Sequence, residues 1–131
     1  GGFVAGLKAG HAYNTFPLMD GHWVPQVMFM QEPLWRNFFE NIATVQFDHR
    51  LLALLVFLSV TILWLASLRQ QLSPQIRTGL HLLMVTAILQ VALGISTLLL
   101  HVPVPLAATH QAGALLLLTV AVFLRQRMSQ A

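Results

Sequence analysis

The longest uncharged stretch of the chain constrains its fold more than any other feature. From Thr78 to Leu124 there are 47 residues without a lysine, arginine, aspartate or glutamate. One helix of that length would be about 70 Å long, more than twice the roughly 30 Å hydrocarbon core of a bilayer. Pro103 and Pro105 lie near the middle of the stretch, and each lacks the backbone N–H that a continuous helix needs. The stretch therefore predicts two membrane-spanning helices that fold back on each other at the prolines.

A second uncharged run predicts a further span. From Leu51 to Leu68 there are 18 residues without a charge, close to the roughly 20 residues that a helix needs to cross a bilayer. We therefore predict an all-α integral membrane protein. Its three transmembrane helices are expected at about 48–69, 76–101 and 106–125.

Composition excludes the other broad classes of protein. Hydrophobic residues make up 56% of the 131-residue chain and charged residues only 8%, against roughly 25% charged residues in a soluble domain. A soluble globular enzyme is therefore excluded. Without cysteine, the chain has no disulfide scaffold, thiolate metal site or cysteine nucleophile. The net charge is +3, but the seven basic residues are spread among apolar runs. Hence we predict the lipid bilayer as a partner and no nucleic acid.

The remaining segments are assigned by length and pattern. Residues 1–10 include an apolar, small-residue run too short to cross a membrane, and we interpret them as the end of a truncated transmembrane helix. Residues 11–47 are predicted to form a segment outside the membrane, with a short interfacial helix at 32–39 that begins near a proline. Residues 48–131 hold the three spans.

The arginines predict which end of the bundle faces the cytoplasm. All four acidic residues lie between 11 and 48, whereas the link between the first two spans and the C-terminal tail are basic, with Arg69, Arg77, Arg125 and Arg127. Because short cytoplasmic loops are enriched in basic residues, we expect residues 70–75 and the C-terminus in the cytoplasm or matrix. Residues 11–47 and 102–105 are then outside.

Two histidines are predicted to lie at the same depth. His49 begins the first span and His110 begins the third, and both of these spans run inward from the outer face. Ionisable groups in a membrane are costly and therefore mark candidate functional sites. Two imidazoles that face each other across a helical bundle are the usual axial ligands of a six-coordinate heme. The residues one turn from the two histidines are small and leave room for a flat ring: Ala53, Ala107, Gly113 and Ala114. Small residues would equally let the helices pack closely.

Two further residues, His101 and Arg50, are candidates for contacts to the same group. One face of the second span carries Thr86, Gln90, Gly94, Thr97 and His101, and this face is predicted to turn toward the bundle interior. His101, near the outer end, is either a hydrogen-bond partner of a heme propionate or ligand histidine, or an ordinary interfacial residue. Arg50 is a candidate partner for a propionate or for Asp48. His81 is interpreted as a hydrogen-bonded interface residue.

Several sequence blocks, in order along the chain, resemble the C-terminal half of the heme A synthase family of cytochrome oxidase assembly. The resemblance covers essentially the whole chain and is of the proteobacterial and mitochondrial type, in which an outer-loop cysteine pair is absent. It rests on the blocks Gly2–Gly10, Tyr13–Gly21, Gln46–Arg50, Leu93–Leu98 and Thr109–Gln111.

The resemblance implies a fold and an activity. Family members have eight membrane helices in two four-helix halves, each with two histidines near the outer face. They oxidise the C8 methyl of heme o to the formyl group of heme a, with a second heme, heme b, bound in the C-terminal half. His49 and His110 match the histidine positions of that half, which implies bis-histidine ligation of heme b, and Arg50 and His101 are candidate contacts to it.

The resemblance also implies a location, partners and a division of labour. We expect the bacterial inner membrane, or the mitochondrial inner membrane in a eukaryote. Heme o would be bound by the missing N-terminal half, and heme o synthase and cytochrome oxidase assembly factors are candidate partners. The catalytic half has a glutamate three residues before its first histidine. Gln46 stands at the matching position here, so no catalytic residue is assigned to this chain.

Two other functions share some of these features. A bis-histidine membrane cytochrome that acts only as an electron carrier would have the same histidine pair, but not the block Asn14–Met19 or the long outer segment. A transporter or assembly protein without a cofactor would use the histidines for proton relay or for structure.

Overall fold

The computed structural model describes residues 1–129 and consists of helices joined by loops. A short helix α1 (Gly2–Gly6) and a 3₁₀ turn at Ala9–His11 open the chain, and a long irregular segment follows. A second 3₁₀ turn at Leu34–Arg36 leads into α2 (Asn37–Glu40). The long helices are α3 (Ile42–Ser67), α4 (Pro74–Leu99) and α5 (Val104–Ser129). Within residues 1–129 the only β-type pairing is an isolated bridge between Met19 and His22.

The three long helices confirm the all-α membrane architecture predicted from the uncharged runs. Each has 26 residues and is long and apolar enough to cross a membrane. Because a 26-residue helix measures about 39 Å, each exceeds the thickness of the hydrocarbon core. The predicted region 48–131 ends on Gln130 and Ala131, which lie outside the described residues.

The helix boundaries differ from those predicted, most of all at the start of α3 and at the end of α5. Helix α3 begins at Ile42 rather than near residue 48, because Asn41 caps it: the Asn41 Oδ1 accepts hydrogen bonds from the backbone N–H groups of Ala43 (3.0 Å) and Thr44 (3.2 Å). Helix α5 begins at Val104 rather than 106. Pro105 is tolerated there, since the first turn of a helix needs no N–H from it. Helix α5 also continues past residue 125 to Ser129.

Helix α4 is the centre of the bundle. Helices α3 and α5 both pack on α4 and scarcely on each other. At the end where α4 begins and α5 ends, which we call the apolar end, four buried residues form a cluster: Ile76, Leu80, Leu83 and Leu124. Nearby, the Trp64 indole N–H donates a hydrogen bond of 2.9 Å to His81 Nδ1 and joins α3 to α4. His81 is thus a hydrogen-bonded interface residue, as predicted.

At the opposite end, which we call the histidine end, the first part of the chain packs across the start of α3 and the end of α4. Asn14 Nδ2 donates to the carbonyl oxygen of Leu98 at the end of α4 (2.9 Å). Gly10 lies against Val102, and a Cβ at Gly10 would be only 3.0 Å from a Val102 methyl group. The N-terminal segment is therefore fixed to two of the long helices.

Candidate functional site

The structure brings His49 and His110 together at the histidine end. Each side chain lies about two turns into its helix, His49 in α3 and His110 in α5, and both residues are partly buried. The centroids of the two imidazole rings are 6.4 Å apart, and the ring planes are nearly perpendicular, at 89°. Two residues that are 61 positions apart in the sequence thus form one pair.

Helix α4 provides the surface on which His110 lies. Gln90 Nε2 donates a hydrogen bond of 2.8 Å to the backbone carbonyl oxygen of His110. One turn later, a Cβ at Gly94 would be 2.9 Å from His110 Cε1 and 3.4 Å from Nε2. The imidazole therefore lies directly against the backbone of α4, on the polar face that the sequence pattern predicted to turn inward.

Buried polar atoms at this end lack partners within the described residues. His110 Nδ1 and Gln90 Oε1 are both buried, and neither has a hydrogen-bond partner in residues 1–129. Buried side-chain polar atoms in proteins are usually hydrogen-bonded, so these two exceptions on neighbouring residues mark a candidate site.

The separation of the two imidazoles is that expected if both were to hold one metal ion between them. An imidazole nitrogen binds a first-row transition metal at about 2 Å, and the ring centre lies roughly 1 Å behind that nitrogen. Two imidazoles on opposite sides of one iron would therefore have centroids about 6 Å apart, close to the observed 6.4 Å. A site that needs three protein ligands is not present within residues 1–129, where no group of three His, Cys, Asp or Glu side chains is suited to a metal ion.

Arg50 contacts backbone carbonyl groups of the N-terminal segment. Its Nη2 donates to the carbonyl of Tyr13 (3.0 Å), and its Nη1 donates to that of Pro17 (3.3 Å). Arg50 Nε is buried and has no partner in residues 1–129. Asp48 is the alternative partner considered from the sequence, but it makes no ion pair with Arg50. Within residues 1–129 the ion pair joins Arg36 and Glu40.

Gln46 has the same role one turn earlier on α3. Its Nε2 donates to the carbonyl oxygens of Ala9 (2.9 Å) and Tyr13 (3.2 Å), and its Oε1 accepts from Arg50 Nη2 (3.3 Å). Together Gln46 and Arg50 fasten the segment 9–18 to α3. Sequence reasoning missed this role, and the available signal was the spacing of four residues that places both side chains on one helix face.

The remaining histidines do not join the pair. His101 follows the end of α4 with a left-handed backbone (φ 62°), is exposed, and makes no side-chain hydrogen bond to residues 1–129. His22 is exposed in the N-terminal segment, where its ring nitrogens contact the Asp20 carbonyl oxygen (3.1 Å) and Gln26 Nε2 (3.3 Å). The site is therefore built on His49 and His110, with His101 at the same end of the bundle.

Comparison with known proteins identifies the family. The family model of the COX15-CtaA cytochrome oxidase assembly proteins matches residues 1–122. The chain is 56% identical over 128 residues to a heme A synthase of Nitrosospira multiformis, covering 98% of this chain and 36% of that protein. It is 48% identical over 128 residues to the heme A synthase COX15 of Homo sapiens, covering 98% of this chain and 31% of that protein.

The chain thus spans about a third of the length of the curated relatives that it matches. No solved structure matches it. The resemblance carried by the sequence blocks is confirmed by relatives from both bacteria and eukaryotes. Because the family model covers nearly the whole chain, this chain belongs to the COX15-CtaA family of cytochrome oxidase assembly proteins.

Proposed function

We propose that this chain is the C-terminal, heme-binding half of a heme A synthase, in which His49 and His110 are the axial ligands of heme b. The observation that carries the proposal is the separation of 6.4 Å between the two imidazole centroids, on two helices that are each able to span a membrane. Membership of the family supports the identity of the bound group, since its curated relatives are named heme A synthases.

In this proposal each residue of the site has a separate task. His49 and His110 bind the iron through neutral imidazoles, and the heme, once bound, supplies one-electron redox chemistry. Arg50 and His101 contact the propionates. The buried Arg50 Nε–H without a partner in residues 1–129, and the exposed position of His101 at the same end of the bundle, support these two assignments.

The reaction itself belongs to the complete enzyme. We propose that it oxidises the C8 methyl of heme o to the formyl group of heme a, and that heme o binds to an N-terminal half outside this chain. Gln46 supports this division of labour. Its amide is 2% exposed and is already hydrogen-bonded to Ala9 and Tyr13, so it serves as a structural residue and not as a proton acceptor. Heme o synthase and other oxidase assembly factors are proposed partners.

The proposed topology follows the charges. We place the histidine end at the outer face of the bacterial inner membrane, or of the mitochondrial one in a eukaryote, and residues 1–10 at the end of a preceding membrane helix. The apolar end of the bundle, where the link after α3 and the C-terminal tail carry the basic residues, is then cytoplasmic. Reporter fusions within residues 70–75 should report a cytoplasmic location, and an external location would overturn this orientation.

A visible spectrum tests the ligand assignment. We would record reduced-minus-oxidised spectra of the full-length gene product in detergent, with His49→Ala, His110→Ala and His22→Ala variants. We expect a low-spin b-type signal that either of the first two substitutions abolishes. His22→Ala is the matched control and should leave it intact, because His22 is exposed in the N-terminal segment. A normal signal in both ligand variants, or no heme in the unmodified protein, would refute the proposal.

A further inference from the structure

We infer that Gln90 and Gly94 of α4 are positioning residues that set the orientation of the His110 imidazole for iron. The inference rests on the proposed function, because it assigns the two residues a task toward the same heme. It depends on three contacts between α4 and α5: one hydrogen bond to the ligand's backbone, one contact to the ligand's ring, and one close approach that admits the Gln90 amide.

The first contact fixes the backbone of the ligand. A carbonyl inside a helix already accepts a hydrogen bond from the N–H four residues later. The carbonyl of His110 accepts a second one, from Gln90 Nε2 at 2.8 Å. Because this bond comes from a neighbouring helix, it opposes rotation of α5 about its own axis. The direction of the His110 Cα–Cβ bond is fixed as a result.

The second contact fixes the ring. Gly94 lies four residues after Gln90 and therefore on the same face of α4. A methyl group at Gly94 would be 2.9 Å from His110 Cε1, closer than carbon atoms pack. The ring thus occupies the space that a side chain at position 94 would take. Any larger residue there would turn the imidazole away and redirect its Nε2.

The third contact makes room for the first. Gly113 lies on α5 one turn after His110, and a Cβ at this position would collide with Gln90 Oε1. The absence of a side chain at Gly113 lets the Gln90 amide reach the backbone of α5. Glycines on both helices therefore serve one arrangement, in which α4 holds the ligand's carbonyl and its ring at the same time.

The alternative is that these glycines only let two membrane helices approach closely, as small residues commonly do. The chain contains a matched control for this alternative. Gly79 also lies on α4, and a Cβ there would be 2.9 Å from an atom of α5, the same clearance as at Gly94. Its neighbour, however, is Leu124 Cδ1, in the apolar cluster.

The test compares Gly94→Ala with Gly79→Ala in the full-length gene product purified with its heme. The readouts are the g values of the low-spin ferric signal, the midpoint potential, and the rate of heme loss to apomyoglobin. Removal of a residue that orients a metal ligand typically costs about 10- to 100-fold in affinity. We expect Gly94→Ala to shift the g values and potential and to accelerate heme loss by about that factor, whereas Gly79→Ala leaves all three unchanged.

A second variant keeps the inference testable if Gly94→Ala fails to fold. Gln90→Met preserves the length of the side chain but removes the N–H donor, and it should likewise shift the g values and accelerate heme loss. Thr97→Val is its control on the same helix, because the Thr97 hydroxyl bonds only to a carbonyl of its own helix, that of Leu93. Wild-type signatures in both Gly94→Ala and Gln90→Met, or equal shifts in Gly79→Ala, would overturn the inference.

The ligand variants distinguish a failure of this inference from a failure of the proposed function. If His110→Ala loses the heme while Gly94→Ala and Gln90→Met bind it normally, the ligand assignment stands and the positioning inference fails. If His49→Ala and His110→Ala both retain a normal low-spin signal, the proposed function fails and the positioning inference fails with it.

Discussion

The two ends of the α4–α5 interface use the same packing device for different purposes. At the apolar end Gly79 lies against Leu124, and at the histidine end Gly94 lies against His110, with the same clearance of 2.9 Å. At the apolar end the residue that meets the glycine belongs to a cluster of buried hydrocarbon side chains. At the histidine end, His110 Nδ1 and Gln90 Oε1 are buried without partners in residues 1–129. A close approach at a glycine therefore does not by itself distinguish helix packing from a ligand site. The residue that lies opposite the glycine does.

The largest difference between the two ends should appear when the central side chain of each end is truncated. His110→Ala should abolish the low-spin heme signal of the full-length gene product, because it removes an axial ligand. Leu124→Ala should retain the signal with unchanged g values, because Leu124 belongs to the apolar cluster at the other end. Visible and electron paramagnetic resonance spectra decide the matter, and loss of heme in Leu124→Ala would show that the ends are not independent.

The same leucine should matter for stability. Leu124 is 3% exposed, and truncation of a buried leucine costs about 2–5 kcal/mol. We expect Leu124→Ala to lower the free energy of unfolding by about 2 kcal/mol, near the low end of that range, because hydrocarbon lost from a helix interface in lipid forfeits packing but little hydrophobic free energy. Unfolding in mixed detergent measures it. Leu116→Ala, on the same helix but 54% exposed, should have no measurable effect, and an equal loss would contradict the buried role of Leu124.

A smaller effect is expected from the residues that fasten the N-terminal segment. Gln46→Ala removes hydrogen bonds to the carbonyls of Ala9 and Tyr13, and it should cost only about 1 kcal/mol. The cost is small because the Tyr13 carbonyl keeps its hydrogen bond from Arg50 and the Ala9 carbonyl keeps that from the backbone N–H of Ala12. Limited proteolysis should then cut residues 9–18 faster, while heme content stays near normal. Gln26→Ala, an exposed glutamine of the same segment, is the control. Complete loss of heme in Gln46→Ala would show that Gln46 belongs to the heme site itself.

The smallest effect concerns the hydrogen bond between α3 and α4 near the apolar end. Trp64→Phe removes the donor to His81, and hydrogen bonds between membrane helices contribute about 0.6 kcal/mol on average. A decrease of that size in the free energy of unfolding, with an unchanged heme spectrum, is expected. Trp35→Phe at a 60% exposed position should change neither quantity, and a spectral change in Trp64→Phe would contradict the separation of the two ends.

The parts of this structure that follow from local pattern could be predicted from the sequence. The uncharged runs and Pro103 and Pro105 determine how many times the chain can cross a membrane. The two histidines, each near the start of a span that runs the same way, were predicted at one level, and their rings lie 6.4 Å apart. The polar face of α4 pointed to the bundle interior, because polar groups in lipid turn toward other helices.

The parts that depend on contacts between distant segments could not be predicted in the same way. Helix α3 begins early because Asn41 caps it and also donates to the carbonyl of Val27, fourteen residues away. From the sequence, Arg50 is a candidate partner for a propionate or for Asp48, and no pattern predicts its hydrogen bonds to the carbonyls of Tyr13 and Pro17 in an irregular loop. No hydrophobic period encodes the path of such a loop. The backbone of His101, with its positive φ, likewise depends on how the chain turns after α4.

One feature of the bundle bears on how it assembles. Helices α3 and α5 touch α4 but scarcely touch each other, so the three long helices are held together by two main interfaces, both on α4. A group bound by His49 and His110 together would add a third connection, between α3 and α5. The ligand would then be a structural member of the bundle, and its arrival would complete tertiary assembly.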